Sequence, residues 1–378
     1  MLFDVCDEHA HCVLDAFYKA ESEDGSDIWR PHENPYIRRI VELFTERGLA
    51  RIASVRAELG SWLSGSKHKH THERPPRPVG AMARWSEAEI ALTKLYLESL
   101  HPDTFTYDDW ALLIDYLVQR YLPLDDLRTE AEWLATRAII LGRMAAARQA
   151  RDISTAAVDN ALVAMPPTIE AADALFGLTP HQRAIMEYGN AHAAENVVAL
   201  TDAQRHRLRR NIMDYLEQAR MQTPGARESL ETRLGDVFAD WNRDWRRIAL
   251  TETGELANQG LIASLTPGRK VKRIEKYQGA CSFCRSINGK IFEVVAPDAP
   301  DKDGDTQVWP GKTNVGRSAS ARKKTQDGLV DREPHELWWP AAGVMHPNCR
   351  GRWVPVEEPE RRGDPAFLKW MDEQLGPG

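Results

Sequence analysis

Cysteine is scarce in this sequence. Its 378 residues hold five: Cys6, Cys12, Cys281, Cys284 and Cys349. An odd count, with three in the last hundred residues, excludes a disulfide framework as the source of stability. Long apolar runs are missing too. The longest, residues 337–345, is interrupted by Pro340 and Gly343; nothing here spans a bilayer, and no membrane partner is expected. Glycine and proline, at 24 and 22, are too few for a collagen-like or linker-like chain. The opening MLFDVCDEHAHC lacks the basic residues of a signal or transit peptide, so a reducing cytosol is the expected compartment. Basic residues are nearly absent from residues 1–29, where eight acids face Lys19 alone. That imbalance accounts for the whole net charge of −7 and leaves the remainder formally neutral. An acidic leader on a neutral body gives no general affinity for nucleic acid.

What is present is ample apolar content, 42%, enough for two or three domains with buried cores. The first two thirds read as helix, near residues 36–64, 86–99, 106–120, 124–151, 168–175, 180–195, 202–221, 227–238 and 239–264. Ser86 with Glu89, Thr179 with Gln182, and Thr201 with Gln204 each supply a capping pattern at a helix start. A stripe of Leu134, Ala138, Leu141 and Ala145 predicts one buried face. Residues 65–80, GSKHKHTHERPPRPVG, read as a loop. After residue 265 the pattern changes. Residues 271–277, 290–295 and 352–357 alternate like short strands, Asn288-Gly289 marks a tight turn, and 364–375 reads as a short tail helix. The expected fold is mainly α, with a small α+β zinc-knuckle-like C-terminal domain. The expected division is residues 1–72, 80–165, 166–265, 266–358 (with a basic insertion at 297–335) and 359–378.

The sharpest motif is Cys281-x-x-Cys284 followed by His346-Pro347-Asn348-Cys349. Each pair places two donors on one turn, and together they make a Cys₃His set suited to tetrahedral zinc. With four protein ligands no position stays open for water, which argues for a structural rather than a catalytic ion. Upstream, Trp241, Trp245 and Ile248 form a stripe that continues into Glu252, Glu255 and Gln259. A carboxylate on such a stripe needs a donor. Arg247 stands close by, and the expectation is a Glu that pins the helix to the next domain through an Arg.

These residues together carry a resemblance. Arg247-Ile248-Ala249-Leu250-Thr251-Glu252, Ala257-Asn258-Gln259-Gly260, Cys281-x-x-Cys284-x-x-x-Asn288-Gly289 and His346-Pro347-Asn348-Cys349-Arg350 occur in that order. The pattern resembles the phage Mu protein F-like head morphogenesis domain of tailed-phage minor head proteins, over about residues 170–357. The resemblance implies a minor capsid component near the portal vertex, with portal protein or major capsid protein as partner and a part in head assembly, DNA packaging or ejection. It implies no enzymatic reaction. It also implies that Arg247, Thr251, Glu252 and Asn258 are structural. Where that family often has Cys-Arg-Cys, this chain has Gly351 after Arg350, so a further thiol is not a required ligand here.

Residues 311–324 carry Lys312, Arg317, Arg322, Lys323 and Lys324 and no acid. Such a loop is a candidate contact for phage DNA or an acidic partner, or else a solvated loop. Trp338 and Trp339 read as a cover over a small zinc domain. Cys6, His9, His11 and Cys12, and separately His68, His70 and His72, read as incidental. Arg205, Arg207, Arg209 and Arg210 read as the wet face of a helix. Two alternatives stand beside the head-protein reading. One is a zinc-containing nuclease or toxin, for which His335 is the one spare histidine in the C-terminal region; the other is a non-catalytic DNA-binding zinc module.

Overall fold

The computed structural model describes residues 35–63, 84–101, 104–147, 155–326, 328–357 and 364–375. The two N-terminal histidine clusters lie outside these. The chain is mainly helical, with a small C-terminal strand region. The helices are α1 (Pro35–Leu63), α2 (Glu87–Ser99), α3 (Tyr107–Tyr121), α4 (Leu124–Ala147), α5 (Thr155–Ala164), α6 (Ile169–Phe176), α7 (Pro180–Arg220), α8 (Ala226–Ser264), α9 (Ser282–Ile287) and α10 (Pro365–Leu375). Among the described residues, no helix is long and apolar enough to cross a membrane.

The capping signals at Ser86 and Thr179 are used. The Ser86 hydroxyl accepts from the Glu89 amide while Glu89 accepts from the Ser86 amide, and Thr179 and Gln182 make the same exchange. The signal at Thr201 is not. Thr201 is buried, and its hydroxyl donates back to the Val197 carbonyl at 2.9 Å. It therefore sits inside α7, and the two helices expected over 180–221 are one. The helices expected over 227–264 likewise fuse into α8. Two short helices, α5 and α9, were not anticipated. Helix α4 is buried almost all round between Leu134 and Met144, not along a single stripe.

The chain divides into two compact units. One comprises residues 42–132 and 191–249, the other residues 1–41, 133–190 and 250–378. Neither is contiguous, in contrast to the serial division expected from loop composition. The boundaries fall inside α1, α4, α7 and α8, because each of these helices contributes one end to each unit.

In the first of these units Trp245 stacks on Phe44 at 5.4 Å and donates its indole N–H to the Phe44 carbonyl. Asp115, fully buried, accepts from Arg205 at 3.0 Å and pairs with Arg209. These two arginines are therefore internal counter-ions and not part of a wet face; a buried carboxylate requires such partners.

In the second unit, four strands make a sheet in the order β3-β2-β1-β6: β1 (Lys270–Ile274), β2 (Ile291–Val294), β3 (Gln307–Val308) and β6 (Arg352–Pro355). Strand β1 runs antiparallel to both β2 and β6, and β2 is parallel to β3. Val271, Phe292, Val294, Val308 and Trp353 form a core with Leu261 and Ile262 of α8. A separate hairpin, β4 (Arg322–Thr325) with β5 (Gly328–Asp331), lies within the insertion. Helix α10 packs Phe367 and Trp370 edge-on against Phe176 of α6.

Candidate metal centre

Local structure prepares each half of the centre. Cys281 is the N-cap of α9, and its sulfur accepts the Cys284 amide at 3.4 Å. The helical turn brings Cys284 alongside it. On the opposing turn, Asn348 adopts a left-handed conformation (φ 64°), tolerated by Asn, which folds Cys349 back beside His346. The Cys349 amide bonds to the His346 carbonyl at 3.1 Å.

The two halves meet. His346 Nε2 lies 3.2 Å from Cys281 Sγ and 3.3 Å from Cys284 Sγ, and Cys284 Sγ lies 3.7 Å from Cys349 Sγ. The four residues predicted from spacing therefore converge, across 61 intervening residues, and with Glu275 they form a cluster able to hold a metal ion. His346 Nδ1 is 2.8 Å from the Pro347 carbonyl. That contact fixes the tautomer with Nδ1–H donating and leaves the Nε2 lone pair for an ion. Trp338 stacks on the imidazole at 5.3 Å, and Phe283 meets Trp338 edge-on, so the predicted aromatic cover is in place.

The donors shift one another's proton affinities. Cys281 is held down to about 4, first by a hydrogen bond with Cys284 and then, against burial, by His346. Cys349 is also lowered, by Cys284 and by the charges of Arg273 and His346. Cys284 is raised, by its hydrogen bonding with Cys281 and with Cys349 and then by burial. Burial pushes His346 down, but its bond to Cys281 and the negative sulfurs outweigh this and bring it up to about 9. The cluster thus concentrates negative charge on sulfur in a buried place, which is what a cation requires.

Two participants were missed from sequence. Arg273, wholly buried, directs Nη2 at Cys349 Sγ (3.3 Å) and Nη1 at the Gly343 carbonyl, with its guanidinium over Trp353. Glu275, also buried, accepts from the Tyr277 amide; burial and then the Cys349 charge push it up to about 7. A signal existed. Val271 and Arg273 share one face of β1, and Glu275, one residue past its end, continues the alternation, so two charges replace apolar residues on the inward side. Gly351 belongs to the same arrangement. A Cβ there would lie 2.4 Å from Arg273 Nη2 and 2.6 Å from Glu275 Oε2, so the guanidinium fills the space that a side chain at 351 would need.

Helix α8 is fastened to the centre by side chains of successive turns. Arg247 bonds Asp244 in its own helix at 2.8 Å, and Glu252 is buried. Thr251 Oγ1 accepts from the Asn348 amide, Glu255 from the Val344 amide, and Asn258 donates to the Gly351 carbonyl while accepting from the Trp353 amide. Gln259 accepts from the Gly311 amide. Backbone groups flanking the His-x-x-Cys turn are thus satisfied by side chains of one helix.

The basic segment, read as a contact for DNA or an acidic partner or else as a solvated loop, is neither at Lys312. Lys312 is 1% exposed. Its ammonium donates to the Gly304 and Gln307 carbonyls at 2.6 and 2.8 Å and lies 4.7 Å from the ring centres of both Trp309 and Trp339. Arg317 stacks on Trp339 and donates to the Leu337 carbonyl. Arg322 pairs with Asp331, and Lys323 with Glu336; Lys324 is exposed. Acids beyond residue 324 neutralise charges that looked unopposed within 311–324. Asn314 donates to the Trp339 and Met345 carbonyls, which makes the first part of the insertion a strap beside His346.

Burial pushes Lys312 down to about 7, Asp305 and Asp303 opposing and Arg317 reinforcing. The unfolded amine titrates near 10.5, so between these values the unfolded chain binds more protons and stability rises with pH. The contribution is complete above about 10.5 and is lost as pH falls through about 7. Denaturant midpoints at pH 7 and pH 9 should differ by more in the wild type than in Lys312→Met. Equal differences would refute this, because the thiols titrate in both proteins.

No family model, curated protein or solved structure matches this chain.

Proposed function

We propose that this chain is a minor head protein of a tailed phage or prophage, held near the portal vertex, whose C-terminal module is clamped by a structural zinc ion. One observation supports it above others. The residues that carry the resemblance in sequence converge as one interlocked module: Thr251 and Asn258 bind the segment bearing Cys349, Asn288 accepts from the Glu275 amide, the thiols of Cys281 and Cys284 meet His346, and Cys349 meets Cys284.

Zinc is favoured by the donor set. A tetrahedron with Zn–S of about 2.3 Å and Zn–N of about 2.0 Å has edges of roughly 3.8 Å between sulfurs and 3.5 Å between sulfur and nitrogen. Three of the six edges, Cys284 to Cys349 at 3.7 Å and His346 to Cys281 and Cys284 at 3.2–3.3 Å, are close to these. Three thiolates and a neutral imidazole around a dication leave one negative charge, which the buried Arg273 balances. Cys281, Cys284, His346 and Cys349 would hold the ion, and its contribution is folding free energy.

The assignment gives the protein no reaction. Portal protein or major capsid protein are the partners, with phage DNA during packaging or ejection, in the host cytoplasm and then the virion. The test pairs two assays. The protein should co-sediment with portal or assembled heads and leave plasmid intact with magnesium or manganese. Cleavage abolished by His335→Ala would replace this reading with the nuclease. A DNA-binding zinc module would instead show affinity that falls steeply with salt and with neutralisation of Arg322, Lys323 and Lys324.

A further inference from the structure

A cavity of about 350 Å³ opens in the same unit as the metal centre but is lined by other residues: the end of α4, the start of α7, the segment after α8 and the start of α10. Arg143 is the distinctive group in its wall. It is 5% exposed, its guanidinium lies 4.3 Å from the Phe367 ring centre, and its Nη1 has no hydrogen-bond partner among the described residues. Asp364 also lines the cavity and acts on Arg143 through space, but its Oδ1 is engaged by the Ala366 amide at 2.9 Å. A buried guanidinium nitrogen with no acceptor is unfavourable until an oxygen completes it.

Two further features favour negative charge at this place. Thr179, which caps the 41-residue α7, and Gln182 of its first turn are both in the wall, and the amino-terminal end of such a helix carries partial positive charge. Arg269 reaches the cavity as well and pairs with Glu357. The rest of the wall is largely apolar, with Phe367 its largest member.

We propose that this cavity is an oxyanion pocket, which takes the carboxylate or phosphate group of a small ligand against Arg143 and its compact apolar body against Phe367. Calorimetric titration of the full-length protein with benzoate, phenyl phosphate and the neutral isostere benzamide tests it. Saturable binding of benzoate or phenyl phosphate is expected, and the tighter of the two identifies carboxylate or phosphate as the group selected. Benzamide should bind at least about tenfold more weakly, as should either anion to Arg143→Met, since a charge-assisted bond is lost. Absence of saturable binding of both anions, equal binding of benzamide, or unchanged binding by folded Arg143→Met would each overturn the proposal. If Arg143→Met does not fold, Arg269→Gln decides: severalfold weakening supports the pocket, and unchanged anion affinity overturns it.

Discussion

Stripping metal from the protein, or replacing Cys284 by Ser, should unfold the C-terminal sheet. The apolar core beneath it is small, drawn from short strands, two turns of α8 and the segment around Ala341 and Ala342. Such a core does not hold itself together without a staple. Structural zinc contributes about 10–16 kcal/mol of apparent binding free energy in small domains. Here α8 already fastens the module through Thr251, Glu255 and Asn258, so the net loss should be smaller. A loss of about 5 kcal/mol corresponds to a fall of roughly 10–20 °C in melting temperature for a unit of this size. Amide exchange should rise first at Val271, Phe292 and Trp353, in β1, β2 and β6, and zinc alone should restore protection. A melting temperature unmoved by both chelation and Cys284→Ser would mean that the cluster holds no stabilising ion.

Gly260→Ala and Gly142→Ala should be among the most damaging single methyl additions. Gly260 of α8 and Gly142 of α4 face each other at a close helix crossing. A Cβ on Gly260 would lie 2.4 Å from the Ile139 carbonyl oxygen and 2.9 Å from the Ile139 Cα, and one on Gly142 would lie 2.2 Å from the Ala257 oxygen. These obstacles are backbone, so no rotamer change relieves them, and the helices must separate. Overpacking of this kind costs about 3 kcal/mol, or roughly 6–12 °C. The Gly142→Ala, Gly260→Ala double variant should lose less than the sum, because the first methyl already parts the helices. Gly60→Ala in α1 and Gly235→Ala in α8 are the controls. Neither Cβ meets anything within 4 Å, so each should gain about 0.5–1 kcal/mol from helix propensity. Thermal melts of the four single variants would refute the crossing if Gly260→Ala behaved like Gly235→Ala.

The legible part of this protein is the part fixed by short-range spacing. Helical class follows from periodicity and caps, and Ser86 and Thr179 cap as their neighbours suggest because those bonds span three residues. The two ligand pairs were legible for the same reason: each is one turn of backbone. Their partners were harder to find. Arg273 sits in, and Glu275 just after, a strand that reads as ordinary alternation, and only the placement of that segment beside Cys349 gives the charges a purpose. Thr201 offers a cap by every local rule, yet its burial makes the hydroxyl turn back to Val197.

Composition and pattern alone determined that the chain is helical, that a small strand region follows, and that three thiols and an imidazole are available in pairs. Tertiary structure alone decided which glycine is a contact and which is a weakness, that Lys312 is buried between two indoles and not a surface charge, and which side chains of α8 bind the His-x-x-Cys turn. The division has a physical cause. Hydrogen bonds within a turn depend on neighbours a few residues away, whereas burial depends on whichever distant backbone arrives, and the same residue is charged surface or buried strut accordingly.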